Sequence, residues 1–285
     1  MQDFTLPMRP KLIAEIGINH NGSMEIAKKM IDLAIALKWD SIKFQKRTLD
    51  VVYKESFLSS PRSSPWGSTQ RDQKQALEFS KDDYDEIDQY CRANHIEWSA
   101  SAWDIPSLEF LDNYQLPFHK IASAMTTNLE FVAEVATRQK LTYMSTGMTN
   151  LEDLDVAVEK FLDISNDLVL MHTVSTYPAP EEDLNLLCIN TLQERYNLPV
   201  GYSGHESTVS PSIVAASLGA VAIERHITLD RSMYGSDQSA SLEFGGMQQL
   251  SNVIHKFDDI LGDGLKRITS KEMEIARKLR YWREE

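Results

Sequence analysis

Short apolar runs alternate along this chain with longer stretches whose apolar residues recur every three or four positions. The first run is KLIAEIGI (11–18), and the first helical stretch is SMEIAKKMIDLAIALK (23–38). SIKFQ (41–45) predicts a second strand, followed by a long irregular stretch. Beyond it the alternation becomes regular. KDDYDEIDQYCRAN, PSLEFLDNY, LEFVAEVATRQ, NLEDLDVAVEKFLD, LNLLCINTLQERY and SPSIVAASLG read as helices. IEWSAS, FHKIAS, LTYMST, LVLMHTV, LPVGYS and AVAIERHI read as the strands between them. GGMQQLSNVIHKFDDIL and SKEMEIARKLRYW close the chain as helices.

Strands therefore start near 11, 41, 96, 118, 141, 168, 199 and 220, each followed by a helix-sized segment. Continuous apolar strands between amphipathic helices imply a parallel sheet covered on both faces. Eight such units in roughly 250 residues predict an α/β fold of the (β/α)8 TIM-barrel type. An open doubly wound sheet is the alternative, but no GxGxxG fingerprint accompanies it. The chain reads as a single barrel domain over 1–285, with a helical extension at about 269–285.

Chemistry in such a barrel sits at the C-terminal ends of the strands. Those positions hold Glu15, Lys43 with Gln45, Ser101, Lys120 with Ser123, Ser145, His172 with Ser175, Ser203 with His205, and Glu224 with His226. Every strand delivers a polar or ionisable group to one rim. Two lysines among serine hydroxyls suit a ligand carrying phosphate and carboxylate. Pairing with carboxylates, or snorkelling out of the barrel, would also explain either lysine alone. His205 and His226 end neighbouring strands. With a nearby carboxylate they could hold a divalent metal, and a hydrogen-bonded structural role is the alternative. Glu15 could take a metal, act as a base or pair with Lys43. His172, His95, His119 and His255 read as structural or surface residues, Met144 and Met148 as packing residues, and His20 stays open.

A net charge of −13 argues against nonspecific binding to nucleic acid or to an anionic membrane. A locally basic pocket for an anionic substrate remains compatible with it. Cys91 and Cys188 form no metal-type or disulfide framework, and no leader-like or membrane-length apolar segment is present. A soluble cytoplasmic protein is expected.

The motifs LIAEIGINHNGS, SIKFQ, HKIAS, MSTGM, STYPAP, GYSGHE and AIERHITLD…GSDQSASLE, in chain order from about 11 to 262, resemble the sialic acid synthase family. The resemblance implies a barrel that condenses phosphoenolpyruvate with the open-chain aldehyde of a hexosamine such as N-acetylmannosamine, releasing phosphate. It implies that Lys43, Ser101, Lys120, Ser123, Ser145, Ser175 and Ser203 hold phosphoenolpyruvate. By the same token His205 and His226 ligate Mn2+ or Mg2+, Glu15 is the acid/base candidate, and Gln45, Tyr177 and Asp237 face the sugar. A homodimer is implied as well. An enzyme acting on a different or phosphorylated aldose, and a noncatalytic barrel serving as a binding subunit, are the rival readings. Retention of Glu15, both lysines and both histidines favours an enzyme.

Three departures from the family pattern stand out. Met125 occupies a position where relatives carry a sugar-side glutamate, and a thioether cannot replace its charge. Ser101 stands where many have threonine. A C-terminal antifreeze-like domain, which supplies an arginine to the partner's sugar pocket, is expected to be missing, encoded separately or removed. The connection over 46–80 is long for a barrel and has the character of a lid or binding loop, in which Arg62 or Arg71 is a candidate replacement for that arginine.

Overall fold

The computed structural model describes residues 9–282. Strand β1 (Lys11–Gly17) leads through α1 (Met24–Ala36) to β2 (Ser41–Lys46). The long connection then forms two short helices, α2 (Leu49–Val52) and α3 (Glu55–Leu58), a hairpin of β3 (Pro61–Ser64) and β4 (Gly67–Thr69), and α4 (Gln70–Ala76). Next come α5 (Lys81–Ala93), β5 (Glu97–Ala102), α6 (Ile105–Leu111), β6 (His119–Ile121) and α7 (Leu129–Ala136). They are followed by β7 (Thr142–Ser145), α8 (Leu151–Leu162), β8 (Leu168–Thr173) and α9 (Cys188–Tyr196). The last units are β9 (Val200–Gly204), α10 (Ser210–Ser217), β10 (Ala222–His226), α11 (Phe244–Ile254), α12 (Phe257–Leu261) and α13 (Ser270–Leu279).

Eight parallel strands close in the order β1-β10-β9-β8-β7-β6-β5-β2. This is the predicted (β/α)8 barrel, and all eight predicted strand starts fall within two residues of the observed ones. The helices begin where polar side chains can satisfy free backbone N–H groups. Ser80 and Thr69 each form a reciprocal capping box with the aspartate three residues on, an arrangement worth about 1 kcal/mol per cap.

Three expectations need correction. The connection after β2 is not irregular, because capped helices and a hairpin organise it. The helix expected from Leu184 begins only at Cys188; Leu184 is buried and its carbonyl is bound by His172 Nε2 at 2.7 Å. The helix expected over 245–261 breaks after Ile254, where His255 Nε2 engages the Lys38 carbonyl at 2.9 Å. Among the described residues, no helix is long and apolar enough to cross a membrane.

Side chains along a strand alternate between the barrel interior and the helical layer. The interior floor is the small apolar cluster Ile13, Phe118, Tyr143, Val169, Met171 and Ala222. Gly201 makes room for it: a Cβ there would lie 2.5 Å from Met171 Sδ. The larger cluster fills the space between barrel and helices.

Candidate active site

Two residues beyond each floor position, the same alternation returns a side chain to the interior. Ile13 is followed by Glu15, Phe118 by Lys120, Tyr143 by Ser145, Met171 by Thr173, and Ala222 by Glu224 and then His226. Register levels these groups around the ring. Glu15 pairs with Lys43 on one side and His226 on the other, Gln45 with Ser101, Ser101 with Lys120, and Ser203 with both Thr173 and Glu224. They line a cleft of about 200 Å³ at the C-terminal mouth.

Four buried charges form its base. Lys43 Nζ is ion-paired with Glu15 Oε2, donates to Ser101 Oγ at 2.9 Å and lies 3.7 Å from Glu224 Oε1. Lys120 Nζ donates to Ser145 Oγ at 2.7 Å and to Glu224 Oε1 at 3.2 Å. Ser203 Oγ also donates to Glu224 Oε1, at 3.1 Å. The two lysines differ electrostatically. Burial works against both charges, but Glu15 and Glu224 outweigh it at Lys43, whose pKa is raised. At Lys120 burial prevails, helped by repulsion from Lys43, and the pKa is lowered. Burial also opposes the charge on Glu224, yet the two lysines hold its carboxyl below the usual range.

Small residues open the next layer. Gly147 lies between two serines, and a Cβ on it would come within 2.2 Å of Ser175 Oγ and 2.7 Å of Ser123 Oγ. Ser175 Oγ is buried with no hydrogen-bond partner among the described residues, as is Glu224 Oε2. Buried polar atoms left open in this way mark a place for a ligand. Ala122 and Ala124 line the same wall.

The histidines occupy the opposite side, with ring centroids 5.5 Å apart. His205 Nδ1 donates to the Val174 carbonyl at 2.6 Å, which leaves Nε2 as the acceptor of the Tyr177 hydroxyl at 2.9 Å. Burial, with His226 adding to it, lowers the His205 pKa to about 3 and keeps the ring neutral. His226 Nδ1 is buried and has no hydrogen-bond partner among the described residues; Asp237 Oδ2 lies 3.8 Å away. A neutral imidazole with a fixed tautomer beside one with an orphaned nitrogen fits a divalent cation. Among the described residues no cluster of three or more ligating side chains assembles, so the fit is to a cation with most positions open to water or substrate.

Of the predicted site residues, Glu15, Lys43, Gln45, Ser101, Lys120, Ser123, Ser145, Ser175, Tyr177, Ser203, His205 and His226 all line the cleft. Asp237 borders it through His226 rather than lining it. Gln45 donates to Glu15 Oε1 at 2.8 Å. His172 faces the helical layer, as its structural reading requires, and Thr173 takes its place at the rim. His20 is structural too, stacked on Phe79 at 3.9 Å. Met148 overturns the packing expectation: it lines the cleft, is 71% exposed and has φ 57°. Met125 instead packs against the outer apolar cluster. Arg71 is held by Asp50 and Glu55, and neither it nor Arg62 lines the cleft. Thr173 and Trp103 were missed. Glu224 was seen only as a strand-end companion of His226, although its two-residue spacing from that histidine placed both on one face.

The NeuB family model matches residues 30–266. N-acetylneuraminate-9-phosphate synthase of Homo sapiens is 35% identical over 271 residues, which cover 94% of this chain and 76% of that protein. N,N'-diacetyllegionaminic acid synthase of Legionella pneumophila is 32% identical over 272 residues, covering 93% of this chain and 76% of that protein. The solved N-acetylneuraminic acid synthetase of Leptospira borgpetersenii, in complex with citrate, superposes with a TM-score of 0.81 at 28% identity, covering 95% of this chain and 93% of that one.

Proposed function

This chain belongs to the NeuB family and is a phosphoenolpyruvate-condensing transferase, and from that premise we propose that its acceptor is an N-acetylmannosamine-like aldose. C3 of phosphoenolpyruvate bonds to the aldehyde carbon, water adds at C2, and inorganic phosphate leaves. The product is a nonulosonic-type 2-keto-3-deoxy sugar acid. The observation that carries this reading is the division of the cleft. Two buried lysines ringed by hydroxyls form one side, and a histidine pair with Tyr177 forms the other.

Lys43 and Lys120 supply charge for the phosphate and carboxylate, while Ser101, Ser145 and Ser203 supply directed donors. Ser123 and Ser175 take the remaining phosphate oxygens over Gly147. Because these groups grip phosphoenolpyruvate before the reaction begins, they contribute more to KM than to kcat. Glu15, oriented by Gln45 and Lys43, accepts a proton from the water that adds at C2. His205 and His226 would hold Mn2+ or Mg2+, and such a cation stabilises the negative charge that develops on the aldehyde oxygen. Gln45, Tyr177 and Asp237 orient the aldose.

The test is phosphate release from phosphoenolpyruvate with a panel of aldoses, before and after chelation with EDTA. Release is expected only when an aldose is present, to stop on chelation and to return with Mn2+. Failure with every aldose would refute the reaction. Undiminished turnover after thorough metal removal would remove the role given to His205 and His226. Relatives of similar identity carry names with a 9-phosphate product and names without phosphate, so the acceptor must be read from this chain's own rim.

A further inference from the structure

The inward parity of β2 carries on past the end of the strand. Lys43, Gln45 and Arg47 alternate with outward residues. The Trp103 backbone N–H donates to the Lys46 carbonyl at 3.1 Å, which continues the β2–β5 register and sets Arg47 opposite Trp103. The Arg47 guanidinium lies over the Trp103 ring at 4.0 Å and donates through Nη2 to Gln45 Oε1. Trp103 and Gln45 line the cleft, whereas Arg47 does not.

Gln45 carries this contact to the reacting centre. Its Nε2 donates to Glu15 Oε1 at 2.8 Å, and Glu15 Oε2 is ion-paired with Lys43. A guanidinium only donates, and a carboxylate only accepts. Arg47 therefore requires the oxygen of the Gln45 amide and Glu15 requires its NH2, so a single orientation satisfies both. The reversed amide would set its NH2 against the guanidinium and its oxygen against a carboxylate oxygen. Without Arg47, Glu15 alone selects the orientation. An aldose hydroxyl does not restore the choice, because it both donates and accepts.

Arg47 is itself held firmly. Its backbone N–H donates to Glu78 Oε2 at 3.1 Å, its Nη1 lies 3.6 Å from Glu78 Oε1, and its side chain is only 10% exposed. Glu78 also has Lys46 at 3.5 Å, and Lys46 donates to the Phe79 carbonyl at 3.2 Å. The connection therefore keeps a carboxylate–cation tie when the guanidinium is removed. Arg71, by contrast, ends on the exposed carboxylates of Asp50 and Glu55.

We infer that Arg47 is a positioning residue for the condensation: by fixing the Gln45 amide it holds the Glu15 carboxylate where it meets the water that adds at C2. The inference rests on the reaction and on the role of Glu15 proposed above. Among the described residues, the side-chain contacts of Arg47 are Gln45, Trp103 and Glu78. None of these is a lysine or serine that grips phosphoenolpyruvate, so the contribution of Arg47 falls on the chemical step and not on capture of that substrate.

The experiment is a double-mutant cycle on kcat, with Arg47→Met, Gln45→Met and the pair, at saturating phosphoenolpyruvate, Mn2+ and the best aldose of the panel above. Arg47→Met should lower kcat about 30-fold, with KM for phosphoenolpyruvate within about 2-fold of wild type. In the Gln45→Met background the same change should cost less than about 2-fold, because the amide it acts through is gone. Arg47→Lys still donates to an amide oxygen and should stay within about 5-fold of wild type, and Arg71→Gln should leave kcat unchanged. An unaltered kcat in Arg47→Met, or losses that multiply in the double variant, would mean that Arg47 only braces the connection, and overturns the inference. Should Arg47→Met not fold, Arg47→Lys takes its place in the cycle, and its smaller loss should likewise vanish without Gln45. If no aldose turns over, the condensation fails, and the Arg47 contact is judged by NMR of the Gln45 side-chain amide, assigned by its loss in Gln45→Met. Solvent exchange of that amide about 10-fold faster in Arg47→Met than in wild type supports the positioning, and equal exchange overturns it.

Discussion

Two buried charge networks lie back to back across the last two strands. Glu224 and His226 point into the barrel, while Arg225, between them, points into the helical layer. On β9 and just beyond it, Ser203 and His205 face the cleft, whereas Tyr202 and Glu206 belong to the outer network. The outer network is closed. Arg225 pairs with Glu206 at 2.8 Å and donates to the carbonyls of Gly204 and Thr208 at 3.0 and 2.8 Å and to Ser212 Oγ at 2.9 Å. Glu206 in turn accepts from the Tyr202 hydroxyl at 2.8 Å and from Ser212 at 3.3 Å. No side-chain atom of Arg225 or Glu206 is left without a partner. The inner network also joins cations, carboxylates and hydroxyls, with lysines in place of arginine, but leaves Ser175 Oγ, Glu224 Oε2 and His226 Nδ1 without partners among the described residues. A closed network locks strands to helices. An open one holds charge ready for something that is not part of the chain.

The sharpest way to break this contrast is to remove one cation from each network. Arg225→Met strands Glu206 in an apolar layer and is expected to cost about 3–5 kcal/mol in urea unfolding. Lys120→Met leaves Glu224 with Lys43 and Ser203, and removes a cation whose charge burial already disfavours. Its stability should stay within about 1 kcal/mol of wild type, while kcat/KM for phosphoenolpyruvate falls by about 1,000-fold. Equal destabilisation by the two variants would erase the distinction.

Acid sharpens the contrast by probing groups outside both networks. Burial lowers the pKa of His20 to about 3 and of His119 to about 4. Both rings are neutral in the folded protein and take up protons on unfolding. Their stabilising contribution is therefore complete above the ordinary imidazole pKa and is lost as pH falls from about 6.5 towards 3–4. Stability at pH 5 should fall by about 2 kcal/mol per histidine relative to pH 8, and His20→Gln should flatten the slope.

The smallest effects come from two serines. Ser175→Ala removes a hydroxyl with no internal partner, so the thermal midpoint should hold or rise while KM for phosphoenolpyruvate increases about 5–10-fold. Ser212→Ala removes a donor from the closed network and should cost about 1 kcal/mol with no change in KM.

Much of this was legible before any coordinates. Apolar runs and helical spacing marked all eight strands, and reading the end of each strand found most of the cleft. Parity failed on β8, where LVLMHT is buried on both faces and offers no polar alternation to orient it. Packing of Met171 into the space over Gly201 turns Thr173 inward and His172 outward. The 46–80 connection was opaque for a different reason. Its serines and prolines carry no periodicity, and its placement depends on distant contacts such as Trp66 on Tyr234 and Arg47 on Trp103.

By itself the sequence determined which residues would form strands and helices, and which polar groups would stand at the strand ends, because alternation and helical spacing are local properties of the backbone. Tertiary structure alone decided that Lys120 meets Glu224, 104 positions away, that Arg225 turns its back on the cleft, and that Arg47 lies over Trp103 and donates to Gln45 at the cleft wall. Those meetings depend on barrel closure and strand register, which are set by packing summed over the whole molecule and not by any one segment.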